Sequence, residues 1–215
     1  MARMTMIEAI RNATGRDIDI EDMWTAFFCL AANYTAQKQA GLQHGFDTVA
    51  VDAHLGYYMQ RSLLERLHDD VVAPARAAGY EHVWMLGISM GGLGSLLYAS
   101  EYPDEVAGVI LLAPFLGDRS AIETIVEAGP LEDWDGQGEG LEDYEVAIWS
   151  YIRDARTGDG STPLVLGYGL SDDMAEGYEK LIAFMNPSSV YTLEGGHKWT
   201  TWRPLWDQIA AELPL

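Results

Sequence analysis

The chain has 215 residues, 48% of them hydrophobic, and carries 33 acidic against 13 basic side chains for a formal charge of −20. That size and apolar content suit a single globular domain with a full core, not a disordered chain. The acidity argues against nucleic acid and anionic membranes as partners, because most of the surface would repel both.

The first residues, Met1-Ala2-Arg3-Met4-Thr5-Met6-Ile7-Glu8, lack a long apolar stretch, so no secretory leader is expected and a cytoplasmic protein is the default. No apolar run reaches the about 18 residues that span a bilayer. Residues 4–14 mix apolar and polar side chains, and Gly15-Arg16-Asp17 reads as a turn. A helix is expected over 20–40, with Glu21 and Asp22 in its first turn and Gly41 at its end. The single Cys29 lies in this stretch, cannot form an internal disulfide and reads as a buried thiol. A β-branched strand is expected over 46–53, then a loop, His54-Leu55-Gly56-Tyr57-Tyr58. Leu63, Leu64, Leu67, Val71 and Val72 predict a helix over 61–78 that Pro74 should kink or interrupt.

Residues 82–86 read as a buried strand and 93–99 as a helix, with Gly87-Ile88-Ser89-Met90-Gly91-Gly92 between them. In a strand-to-helix setting, G-x-S-x-G is the signature of a tight turn that lifts a serine hydroxyl above the sheet edge. The continuous apolar run over 106–114 predicts a central parallel strand. Helices are expected over 119–128 and 141–156, separated by an acidic, flexible stretch at 129–140 and followed by a loop at 157–161. Strands over 163–168 and 188–193 alternate with helices over 174–185 and 202–213. This alternation predicts an α/β domain with a mostly parallel sheet.

Functional groups in such sheets collect beyond the carboxyl ends of the strands. Gly169-Leu170-Ser171-Asp172-Asp173 follows one strand, and Glu194-Gly195-Gly196-His197 follows the last. The chain order Ser, Asp, His is that of a nucleophile elbow completed by an acid and a base on later loops. His197 would take the Ser89 proton, and a carboxylate would orient the imidazole. Asp172 is the favoured acid, Asp173 is expected to cap the following helix, and Asp118 is an outside candidate. His54 suits a structural or pocket role, whereas His44, His68 and His82 read as loop, helix-surface and strand-edge residues. The scattered histidines and lone cysteine offer no metal site, and no phosphate-binding glycine motif is present, so no metal or cofactor is expected.

These motifs resemble those of the α/β-hydrolase superfamily: Gly87-Ile88-Ser89-Met90-Gly91 its elbow, Gly169-Leu170-Ser171-Asp172 its acid loop, and Gly195-Gly196-His197 its histidine loop. Leu111-Leu112-Ala113-Pro114 and Gly196-His197-Lys198-Trp199-Thr200-Thr201-Trp202 look like small carboxylesterases of that superfamily. The resemblance runs from Phe46 to the C-terminus. It implies an α/β-hydrolase fold with an eight-stranded, mostly parallel sheet, and ester hydrolysis through an acyl-serine. In the superfamily a third strand lies beside the elbow strand and its loop supplies half of the oxyanion hole. Here the N-terminal strands read as shortened or missing and no His-Gly-rich loop is present, so the Met90 N–H is one expected donor and the Arg16 N–H the nearest candidate for the other.

The sequence thus describes one domain over 1–215 with a small helical lid at 116–160, acting on a small-molecule ester. Trp149, Trp199 and Tyr57 are expected to contact substrate, with Trp134, Tyr151, Trp202 and Tyr58 as further aromatic candidates. Thioesterase, lipase or lactonase activity would use the same machinery, and a non-catalytic ligand-binding relative is the alternative from a different class. No nucleic-acid or membrane partner is expected, and a homodimer is open. Only three of the basic residues are lysines, and this excess of carboxylates would suit a protein working at high salt, where self-repulsion is screened.

Overall fold

The computed structural model describes residues 47–51, 53–155 and 162–212. Among these, four strands form one parallel sheet in the order of the chain: β1 (Trp84–Ile88), β2 (Gly108–Leu112), β3 (Leu164–Gly169) and β4 (Val190–Leu193). Parallel pairing needs a crossover between strands, and each crossover here contains helix. The register pairs Ile88 with Leu112, Leu112 with Gly167 and Gly169 with Leu193, which brings the carboxyl ends of all four strands to one edge.

The helices are α1 (Leu55–Met59), α2 (Leu63–Leu67), α3 (Ala73–Ala77), α4 (Met90–Glu101), α5 (Arg119–Glu127), α6 (Asp143–Ala155), α7 (Ala175–Ile182) and α8 (Trp199–Glu212). Every residue of β2 is buried, as expected of a strand covered on both faces. α4 packs on β1 and β2 and buries Leu93, Leu96 and Ala99. α8 packs on β3 and β4 and buries Leu205, Trp206 and Ile209. No helix of the described residues is long and apolar enough to cross a membrane.

Several expectations are corrected. Residues 47–51 and 53 are irregular and belong to no strand. Among the described residues no strand pairs with this segment, and β1 pairs only with β2. Helices α2 and α3 are joined by a π-helical turn, His68–Val72, in which the Ala73 N–H donates to the His68 carbonyl. This wider turn accommodates Pro74, whose ring would clash with a carbonyl four residues back in an α-helix; the proline changes the helical repeat without ending it. β4 is shorter than expected because Pro187–Ser189 forms a 3-10 turn capped by the Asn186 side chain. The acidic stretch after α5 contains a 3-10 turn, Leu131–Asp133, and buries Leu131 and Trp134. The segment 4–14, the Gly15-Arg16-Asp17 turn, the helix at 20–40 with Cys29, His44 and the loop at 157–161 lie outside the described residues.

Candidate active site

Ser89 lies between β1 and α4 with φ 53° and ψ −120°. A non-glycine residue adopts this backbone only when its surroundings enforce it. Here the Ser89 N–H donates to the Leu112 carbonyl (3.0 Å), and the Ser89 carbonyl accepts from Gly92 N–H (2.9 Å) and Phe115 N–H (2.8 Å). Gly87 is required by packing: a Cβ there would lie 2.1 Å from the Gly91 carbonyl oxygen. Strand and helix can therefore cross closely enough to make the turn sharp. Met90 is the first residue of α4, so its N–H is among those a helix N-terminus leaves without an intrahelical acceptor.

The loops after β3 and β4 are stitched together. Leu170 N–H donates to the Leu193 carbonyl (2.9 Å) and Ser171 N–H to the Gly195 carbonyl (2.8 Å). Gly169 permits this approach, since a Cβ there would sit 2.2 Å from the Gly195 oxygen. His197 Nδ1 is 2.9 Å from Asp172 Oδ2, and His197 Nε2 is 2.9 Å from Ser89 Oγ. An ionised carboxylate can only accept, so Nδ1 carries the hydrogen and Nε2 is left to accept the serine proton. The Asp172 side chain is 0% exposed and that of His197 28%. The edge-on Trp202 ring, 4.8 Å from the imidazole between centroids, walls one side, and Trp199 packs edge-on against Trp202 at 5.1 Å.

The structure brings Ser89, Asp172 and His197 into one hydrogen-bonded line. Asp173 is exposed and does not cap α7; Asp172 Oδ1 accepts the Met174 N–H (3.0 Å) instead, so one carboxylate serves both the imidazole and the helix entry. Asp118 caps α5, and hydrogen bonds from Ala121 N–H and then the Ser120 hydroxyl hold its carboxyl below the usual range. His54 caps α1, accepting the Gly56 N–H at Nδ1 (3.0 Å), and its ring lies 4.5 Å from that of half-buried Tyr57. The Tyr58 hydroxyl donates to the Met90 carbonyl (2.9 Å), which ties α1 to the first turn of α4. Burial raises the Tyr58 hydroxyl well above its ordinary pKa. Arg16 lies outside the described residues.

Trp149 does not line an opening. It is 0% exposed, sealed in the core with its indole N–H donating to the Leu116 carbonyl at 2.9 Å. Trp134 is likewise buried, its N–H donating to the Gln137 carbonyl. A polar residue that sequence reasoning missed is Glu145, buried in the first turn of α6. Its carboxylate accepts from the N–H groups of Asp118 (3.2 Å) and Glu142 (2.9 Å) and from the Tyr144 hydroxyl (3.1 Å), which burial and the Glu145 charge push up to about 12. Glu145 thereby anchors the loop that continues from Phe115. The available signal was its position three residues after Glu142, where a glutamate can reach back to the residue before the helix. Among the described residues no group of three His, Cys, Asp or Glu side chains could hold a metal ion.

A family model described as the alpha/beta hydrolase fold matches residues 39–140, a span that includes the elbow. Among solved structures, S-formylglutathione hydrolase of Staphylococcus aureus is similar at a TM-score of 0.56 and 13% identity, over 84% of this chain and 73% of that one. A fluorophosphonate-binding serine hydrolase of the same organism matches at a TM-score of 0.47 and 16% identity, over 84% of this chain and 76% of that one. A hydrolase of Thermoplasma acidophilum matches at a TM-score of 0.44 and 20% identity; the alignment covers 78% of this chain but only 64% of that protein. No curated protein sequence matches. With its parallel sheet, its strained serine turn and the family match running through that turn, the chain has the alpha/beta hydrolase fold.

Proposed function

We propose that the protein is a serine hydrolase that cleaves carboxylic esters through an acyl-serine intermediate. The observation that carries this reading is the unbroken relay from Asp172 through His197 to Ser89, with both links at 2.9 Å. His197 Nε2 accepts the Ser89 proton as Oγ bonds to the ester carbonyl carbon. The imidazolium that forms is stabilised by buried Asp172. The carbonyl oxygen becomes an oxyanion beside the first turn of α4, where the Met90 N–H binds it; the Arg16 N–H is the second donor in this reading. One such donor is worth ~10²–10³ in rate. Collapse of the tetrahedral species expels the alcohol, which takes the proton from His197. Water, deprotonated by the same imidazole, then attacks the acyl carbon and restores the Ser89 hydroxyl.

In this reading Trp199 and Tyr57 contact the substrate, and residues 116–160, which leave the sheet at the end of β2, cover the site. The test is hydrolysis of p-nitrophenyl esters from acetate to palmitate, which also ranks acyl length. Ser89→Ala is expected to lower kcat by about 10⁴ or more while the fold is retained. Hydrolysis at the wild-type rate in that variant would overturn the proposal.

A further inference from the structure

A five-residue helix beside the elbow has little apolar anchorage of its own. α1 contains no fully buried residue, and its Leu55 and Met59 are 46% and 77% exposed. Tyr57 and Tyr58 are the side chains it packs, half-buried, against the core. The Tyr58 hydroxyl reaches the elbow and donates to the Met90 carbonyl at 2.9 Å. Met90 supplies the N–H that meets the oxyanion in the function proposed above, so whatever fixes its backbone bears on the reaction. The peptide before Met90 is held through the Ser89 carbonyl, which accepts from the Gly92 and Phe115 N–H groups at 2.9 and 2.8 Å. The peptide after Met90 carries the carbonyl that Tyr58 meets. In an α-helix that carbonyl accepts the N–H four residues on, and its second lone pair is open to a donor from outside the helix. Both peptides flanking Met90 are thus tied down next to a serine held at a strained φ of 53°. Burial raises the Tyr58 hydroxyl well above its ordinary pKa, so it stays a protonated donor across the pH range of hydrolysis.

We propose that Tyr58 is a positioning residue for the oxyanion hole: its bond to the Met90 carbonyl fixes the first turn of α4, so that the Met90 N–H stays aimed at the place where the oxyanion forms. The role rests on the hydrolase reading; the hydrogen bond does not. A donor of this kind acts fully only at about 2.7–3.1 Å from the oxyanion, and a misplacement of about 1 Å can cost ~10²-fold in rate. Releasing one of the two ties lets Met90 relax by part of that distance, for a loss of about tenfold. The loss falls on the transition state, because the hole is complementary to the oxyanion and not to the ester carbonyl that precedes it.

Tyr58→Phe removes the hydroxyl and keeps the ring. For the p-nitrophenyl ester that the wild type hydrolyses fastest, kcat should fall about tenfold with KM within about twofold. A second readout is inhibition by an alkyl trifluoromethyl ketone: Ser89 Oγ adds to its carbonyl carbon, His197 takes the proton, and the ketone oxygen becomes an oxyanion in the same hole. Its inhibition constant should rise by the same factor. Where phenylalanine leaves the chain unfolded, 4-aminophenylalanine and 4-methylphenylalanine in place of Tyr58 make the same comparison, since both fill the space of the hydroxyl and only the first can donate. The amine should keep kcat within about threefold of wild type and the methyl group should not. A lowered Tm with kcat and the inhibition constant unchanged is the mark of a packing role and would overturn the proposal, as would a loss confined to KM. Wild-type protein that hydrolyses no ester of the series would overturn the hydrolase reading and this role with it, whereas an active wild type that Tyr58→Phe leaves at full rate would overturn the role alone.

Discussion

Asp172→Asn isolates the charge in the relay while barely changing its shape. In wild type the carboxylate accepts twice, from His197 Nδ1–H at 2.9 Å and from Met174 N–H at 3.0 Å. An amide has a single acceptor oxygen. If that oxygen stays with Met174, the amide N–H₂ faces His197 and drives the ring hydrogen to Nε2, where it points at Ser89 and blocks proton uptake. If the amide turns over, the Met174 bond is lost and the imidazolium still has no counter-charge. At 2.9 Å and an effective dielectric of about 20, the carboxylate–imidazolium attraction is worth about 6 kcal/mol. Allowing for the amide dipole that remains, kcat for a p-nitrophenyl ester should fall by ~10³–10⁴ with KM nearly unchanged. Asp173→Asn, which alters an exposed neighbour, should leave kcat within a factor of two or so. A loss of less than tenfold in the Asp172 variant, or an equal loss in the Asp173 variant, would refute the reasoning.

Other perturbations probe the frame around the site. Gly87→Ala places a methyl 2.1 and 2.3 Å from the backbone oxygen and carbon of Gly91, and should cost about 3 kcal/mol in urea unfolding; Gly129→Ala, with open space at φ 84°, should cost only about 1 kcal/mol, and equal losses would contradict the close crossing. Glu145→Ala strips acceptors from two backbone N–H groups and a hydroxyl and should destabilise by about 2–4 kcal/mol; an unchanged urea midpoint would show that the loop after Phe115 is held by something else. A net charge of −20 predicts a higher unfolding midpoint in about 2 M than in about 0.1 M potassium chloride, because screening shortens the reach of carboxylate repulsion from ~10 Å to a few ångström. Equal midpoints would remove the argument for a high-salt protein.

What the sequence makes legible here follows from how local each constraint is. Gly87 is read directly because only a residue without a side chain allows that crossing, and the apolar run before it marks the strand. Ser89, Asp172 and His197 are legible as a group because parallel strands deliver their carboxyl ends to one edge, so three loops far apart in the chain meet. The rest depends on packing that no short window encodes. An aromatic on a helix does not announce which face it turns, so Trp149 reads as well for a pocket as for the core that holds it. Asp172 and Asp173 are equally able to cap a helix, and only the loop's path gives both tasks to Asp172. The π-helical turn before Pro74 is a tertiary accommodation. Glu145 is a polar residue in a helix whose partners meet it only once the loop after β2 is in place.

The central claim is that Ser89 is a nucleophile activated by His197. Its most direct measurement is the mass of the intact protein, and of the peptide carrying Ser89, after exposure to a fluorophosphonate. One phosphonyl group on Ser89 in wild type, and none in Ser89→Ala or in His197→Ala over the same time, is the expected result. Folded wild-type protein that stays unlabelled, or labelling on a different residue, would contradict it.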